Sequence, residues 1–114
     1  MKLNYKELGE GGQPLIILHG LFGSSDNWMT IGRKLSEKFH VYLVDQRNHG
    51  DSPHDEVHNY EVMAEDLKEF IESNNIENPH IIGHSMGGKT AMYFAVQHPD
   101  LYDKLVVVDI APKA

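Results

Sequence analysis

Four apolar runs of strand length, Leu15-Ile16-Ile17-Leu18, Val41-Tyr42-Leu43-Val44, Pro79-His80-Ile81-Ile82-Gly83 and Leu105-Val106-Val107-Val108, alternate along the chain with longer segments of helical period. A strand that is apolar on both faces must be covered on both faces, and parallel strands joined by crossover helices provide that cover. The alternation therefore defines the class as α/β. Between the runs, Trp28, Ile31 and Leu35 predict a first helix with Ser25 or Asp26 as its N-cap. Met63, Leu67, Phe70, Ile71 and Asn74 share one face of a second, capped by Asn59, with Glu61, Glu65, Asp66, Lys68, Glu69 and Glu72 mostly on the other. A third is expected from Gly87 to His98, ended by Pro99. Leu3, Tyr5 and Leu8 mark an additional strand at the start, and the cluster from Gly9 to Pro14 predicts a hairpin-like return into Leu15–Leu18.

With 114 residues and no repeat, low-complexity tract or linker, one domain is expected. Ten Lys and Arg against 17 Asp and Glu give a net charge of −7, which repels phosphate backbones and argues against nucleic acid as a partner. No cysteine is present, so no disulfide or thiolate chemistry is available and a reducing compartment is open to the chain. The first residues lack an apolar signal core, and no stretch approaches the roughly 18 apolar residues of a membrane span. The expected setting is the cytoplasm, away from membranes. Eight histidines invite a metal site, yet no pair has H-E-x-x-H spacing or a comparable ligand pattern, so neither metal nor cofactor is expected.

Chemistry concentrates at Gly83-His84-Ser85-Met86-Gly87, a G-x-S-x-G pattern entered by an apolar strand and left by a helix. That is the context of a nucleophile elbow, a cramped strand-to-helix turn that lifts a serine hydroxyl clear of the sheet. Small neighbours are needed for the helix to approach the strand, and Gly83, Gly87 and Gly88 meet that need. The following helix start would offer the Met86 N–H to a developing oxyanion. A second donor is expected from the glycine-bracketed turn after Leu18, where Gly20 would let the Leu21 amide, in preference to that of Phe22, face inward. One such donor lowers an acyl-transfer barrier by about 3 to 4 kcal/mol.

Four ordered segments, His19-Gly20-Leu21-Phe22-Gly23-Ser24, Asp45-Gln46-Arg47-Asn48-His49-Gly50-Asp51-Ser52-Pro53, Gly83 to Lys89 and Val108-Asp109-Ile110-Ala111-Pro112, resemble the α/β-hydrolase superfamily. More narrowly they resemble its abhydrolase-domain-eleven type and the small bacterial esterases and acyl-thioesterases grouped with it, over about Leu3 to Pro112. The resemblance implies a serine hydrolase in which Ser85 attacks a small acyl ester or thioester, forms an acyl-enzyme and is released by water. It implies Asp109, at the end of the last apolar run, as the triad acid. Chain order in this fold is serine, acid, histidine. His98, 13 positions along the third helix, is roughly 20 Å from Ser85 and is excluded as the base.

The resemblance further implies that the base, later strands and a helical cap follow Ala114. Residues 1–114 then read as the N-terminal part of a single α/β-hydrolase domain, with little or no turnover by themselves. His19 and His84 are expected in packing and loop hydrogen bonds. His40, His49, His54, His58 and His80 are expected as solvated or turn-forming imidazoles, and Asp45, Arg47 and Asn48 as a structural turn. The implied sheet has about five strands in the order first, third, second, fourth, fifth, the first antiparallel. Leu105–Val108, otherwise a buried strand, becomes an edge open to self-association. Two alternatives share the fold: a non-catalytic binding or assembly module, and a C–C lyase or cofactor-free haloperoxidase.

Overall fold

The computed structural model describes residues 1–108. Five strands, β1 (Tyr5–Leu8), β2 (Gln13–Leu18), β3 (Phe39–Val44), β4 (His80–His84) and β5 (Leu105–Val108), form one sheet in the order β1-β3-β2-β4-β5. All neighbours are parallel except β1, which runs antiparallel to β3. The implied strand order therefore holds. The hairpin-like return from β1 into β2 does not form a hairpin, because β3 lies between the two strands. The connection crosses the start of β3 so closely that a Cβ on Gly12 would lie 2.3 Å from the Lys38 carbonyl oxygen. Gly9 and Gly12 accordingly adopt φ of +83° and +86°, a conformation open to glycine at little cost.

Alternation along β2 and β3 feeds two cores. Ile16, Leu18, Tyr42 and Val44 point to one face and pack with α2 (Tyr60–Ser73) and α3 (Met86–Gln97). Leu15, Ile17, Val41 and Leu43 point to the other, where Trp28, Met29 and Leu35 cover them from α1 (Met29–Leu35) and the 3-10 turn before it. Full burial of such a side chain contributes about 1.5 to 3 kcal/mol, which is why these two strands occupy the middle of the sheet. β5 differs. Its Val106 and Val107 remain 52% and 40% exposed, the environment of an edge and not of a buried strand.

The first helix is capped one residue before Ser25 and two before Asp26, the two expected caps. Ser24 is the N-cap of the 3-10 turn Ser25–Trp28, its hydroxyl accepting from the Asp26 N–H. Ile31, expected on the covered face, is half exposed. Asn59 caps α2 as expected, accepting from the Val62 N–H at 2.9 Å. Met63, Leu67, Phe70 and Ile71 are buried, but so is Asp66, which the helical pattern had placed among the solvated acids. The reason is a partner from a distant loop: both Asp66 oxygens accept from the Arg47 guanidinium, at 2.7 and 2.9 Å.

The register brings Leu18, Val44 and Gly83 into line, so the chain leaves β2, β3 and β4 at one edge. The connections from β2 to β3 and from β3 to β4 run on opposite faces of the sheet, α1 on one and α2 on the other. Strand order thus reverses beside β2. A crevice outside the carboxyl ends of the strands at such a reversal is where open α/β sheets bind ligands.

Candidate active site

Ser85 occupies that crevice, in the single step between β4 and α3, and is exposed. Its φ of +54° and ψ of −112° fall outside the regions ordinary residues adopt, at a cost on the order of 1 to 3 kcal/mol. The strain persists because the surroundings leave no room for another path. A Cβ on Gly83 would lie 2.4 Å from the Gly87 carbonyl oxygen, and one on Gly87 only 2.3 Å from that of Leu18. Gly88 meets Val107 in the same way at 2.8 Å. The Ser85 N–H donates to the Val108 carbonyl at 3.0 Å, and its own carbonyl accepts from the Lys89 N–H at 3.1 Å, the first bond of α3.

The loop after β2 lies against this turn. A Cβ on Gly20 would be 3.4 Å from the Ser85 Cβ and 3.0 Å from His84 Nδ1, so a larger residue would press on the His84 ring. The Gly23 N–H closes the turn onto the Gly20 carbonyl at 3.0 Å, with Phe22 at φ +61° and 91% exposed. Among the described residues, neither the Leu21 nor the Met86 N–H has an acceptor. Two of the concavities lined by Leu21 lie beside the elbow. One, of about 380 Å³, is walled by Ser85, Met86, Lys89, Tyr60 and His58; the other, of about 310 Å³, by Trp28, Ile31, Gly20 and His84.

His19 and Gln46, neither singled out as a site residue by sequence reasoning, bolt this loop to the sheet. Buried His19 donates from Nδ1 to the Gly20 carbonyl at 2.8 Å and accepts at Nε2 from the Gln46 N–H at 3.0 Å. That pattern fixes a neutral ring, and burial lowers its pKa in the same sense. The Gln46 amide donates to the His19 carbonyl and accepts from the Thr90 hydroxyl, both at 2.8 Å, linking β2, β3 and α3. His84 packs its ring edge-on to Trp28 at 5.7 Å. His49, expected to be solvated or turn-forming, is buried, with its Nδ1 2.9 Å from the Arg47 carbonyl. His98 ends α3 and pairs with Glu65. Asp109 lies outside the described residues, which contain no cluster of three metal-ligating side chains. Nor is any described helix long and apolar enough to cross a membrane.

Asp45 anchors the rim. Its carboxylate accepts from the Ser25 N–H at 2.7 Å, the Asn4 amide at 2.9 Å and the Asp51 N–H at 3.1 Å. Burial by itself would raise its pKa, but these hydrogen bonds to the charged form outweigh that and hold it below the usual carboxylate value. A depressed folded-state pKa contributes stability that is complete above the unfolded value, about 4, and fades as pH falls through the folded one. Asp45→Asn is therefore expected to melt lower than the parent at pH 7 and to close that gap below about pH 4. Melting temperatures of both proteins from pH 7 to 3 check this.

The fold and site meet their relatives here. Residues 13–114 match the family described as alpha/beta hydrolase fold, and the chain belongs to that family. Among curated proteins, it is 54% identical over 109 residues to a Saccharomyces cerevisiae protein named "Probable alcohol acetyltransferase", covering 91% of this chain and 32% of that one. It is 50% identical over 103 residues to "sn-1-specific diacylglycerol lipase ABHD11" of Xenopus laevis, covering 89% and 33%. A solved "Marine microorganism esterase" superposes with a TM-score of 0.94 at 61% identity, covering 97% of this chain and 42% of that one. The chain thus spans about a third of the length of these curated relatives.

Proposed function

We propose that this chain carries the nucleophile and oxyanion half of a serine hydrolase that cleaves small carboxylic esters or acyl-thioesters through an acyl-serine intermediate. The observation that carries the reading is the strained, exposed Ser85 at the carboxyl edge of the sheet, sharing a cleft with Leu21 and Met86, whose N–H groups have no acceptor among the described residues. The Ser85 hydroxyl gives its proton to the base as its Oγ attacks the carbonyl carbon, the carbonyl electrons move to an oxyanion held by the Leu21 and Met86 amides, and collapse expels the alcohol or thiol, which takes that proton from the base. Attack of water on the acyl-serine then releases the acid. The same intermediate accepts an alcohol in place of water, so ester hydrolysis and the acetyl transfer named for the yeast relative need no different nucleophile.

Asp109 is proposed as the acid of the triad. No described histidine makes a hydrogen bond with the Ser85 hydroxyl, and the reading requires a base from outside residues 1–108. The direct test is a fluorophosphonate probe applied to the protein as its gene encodes it, with the adduct mapped by peptide mass spectrometry. Modification at Ser85 supports the reading; modification elsewhere, or none, overturns it.

We further propose that the 114-residue chain by itself self-associates along β5, whose two exposed valines and unpaired outer edge offer a template for another strand. Sedimentation at micromolar concentration is expected to show species larger than a monomer, and Val106→Lys to shift them toward monomer.

A further inference from the structure

We propose that Lys89 determines specificity at this site by recognising a carboxylate on the substrate, carried about one helical turn from the reacting carbonyl. The inference rests on the serine-hydrolase reading of Ser85 and names the class of substrate that reading leaves open.

Three observations carry it. Lys89 is fixed relative to Ser85 by the first hydrogen bond of α3, N–H to carbonyl at 3.1 Å, so the two side chains start about 6 Å apart along the helix axis and wall the same 380 Å³ cleft. The ammonium lies 5.9 Å from the centroid of the Tyr60 ring, and Tyr60 is itself stacked on Tyr93 at 5.5 Å. An aromatic face at that distance steadies a cation without neutralising it. Finally, Lys89 forms no ion pair among the described residues, and no Asp or Glu among them walls the cleft.

Most lysines of this chain lack an ion pair among the described residues, so what sets Lys89 apart is its place: it puts a positive charge in a cleft without acids, in a chain of net charge −7. At long range that net charge repels anions equally from every face, so an anionic substrate gains only where a local positive charge meets it inside about a Debye length. The cleft supplies one such charge, and His58, Asn59 and Tyr60 add polar groups around it. The carboxylate can arrive on either side of the scissile bond, as part of the acyl chain or of the leaving group, and the test separates the two.

In the protein as its gene encodes it, hydrolysis is compared within two matched pairs. Mono-p-nitrophenyl glutarate against p-nitrophenyl hexanoate reports an acyl-side anion; the butyryl thioesters of 3-mercaptopropionate and of butanethiol report a leaving-group anion. We expect one pair to favour its anionic member in kcat/KM, the preference to fall about tenfold in Lys89→Gln and to survive in Lys89→Arg. It should also shrink as salt rises. A Ser85-dependent activity with no anionic preference in either pair, or one that Lys89→Gln leaves unchanged, overturns the proposal while the serine reading stands. If none of the four is hydrolysed, fluorophosphonate labelling decides the serine reading and a titration that needs no turnover decides this one. Glutarate should shift the amide resonances of residues 85–89 and bind about tenfold more weakly to Lys89→Gln; equal binding by both proteins overturns the proposal.

Discussion

In the protein as its gene encodes it, replacing Ser85 with alanine is expected to lower ester hydrolysis by about six orders of magnitude, roughly 8 kcal/mol of barrier, and to abolish fluorophosphonate labelling. The loss should appear in kcat and far less in KM, because the cleft walls remain in place. Stability should barely change. Alanine keeps the serine Cβ and inherits the same backbone angles. Glycine at the same position separates strain from chemistry. Ser85→Gly removes the Cβ that makes φ +54° costly and is expected to raise the melting temperature while turnover is lost as completely as in the alanine variant. A glycine variant that melted lower than the alanine variant would show that the turn is not a store of strain, and a Ser85→Ala protein with near-parental kcat would show that the hydroxyl is not the nucleophile.

The elbow was legible in the sequence because each of its requirements is local. Gly83, Gly87 and Gly88 lie within three residues of the serine, and the apolar strand before it and the helix after it can be read in a single window. Strand order was legible only through the resemblance, because the apolar pattern by itself made Leu105–Val108 a buried strand, whereas β5 lies at an edge. The rim was not. Asp45 and Gln46 read as the start of a polar loop, whereas they reach Asn4, Ser25, His19 and Thr90, segments that no periodicity connects. The start of the first helix was ambiguous for a smaller reason, with three successive residues, Ser24, Ser25 and Asp26, all able to cap. Asp66 was misplaced because an acid on a helix is ordinarily solvated; its position beside Leu67 and three residues after Met63, inside the apolar arc, was the available signal.

That buried acid yields the second large effect. Arg47 and Asp66 are both buried, joined by two short parallel hydrogen bonds, and Arg47 also donates to the Val57 carbonyl at 2.8 Å. Together they tie the loop after β3 to α2, and that loop delivers His58, Asn59 and Tyr60 to the wall of the Ser85 cleft. Removing one partner of such a pair costs about 3 to 5 kcal/mol, because the other is left buried without its counter-charge. Asp66→Leu leaves a guanidinium that keeps its proton without the pair, with the Asp55 carboxylate 3.9 Å away. Urea unfolding is therefore expected to show each single variant destabilised, and the double variant Arg47→Met/Asp66→Leu to be more stable than Asp66→Leu alone. If the double variant instead loses the sum of the two single costs, the pair contributes to stability through its packing and its tie to Val57, and the desolvated charge is not the governing quantity.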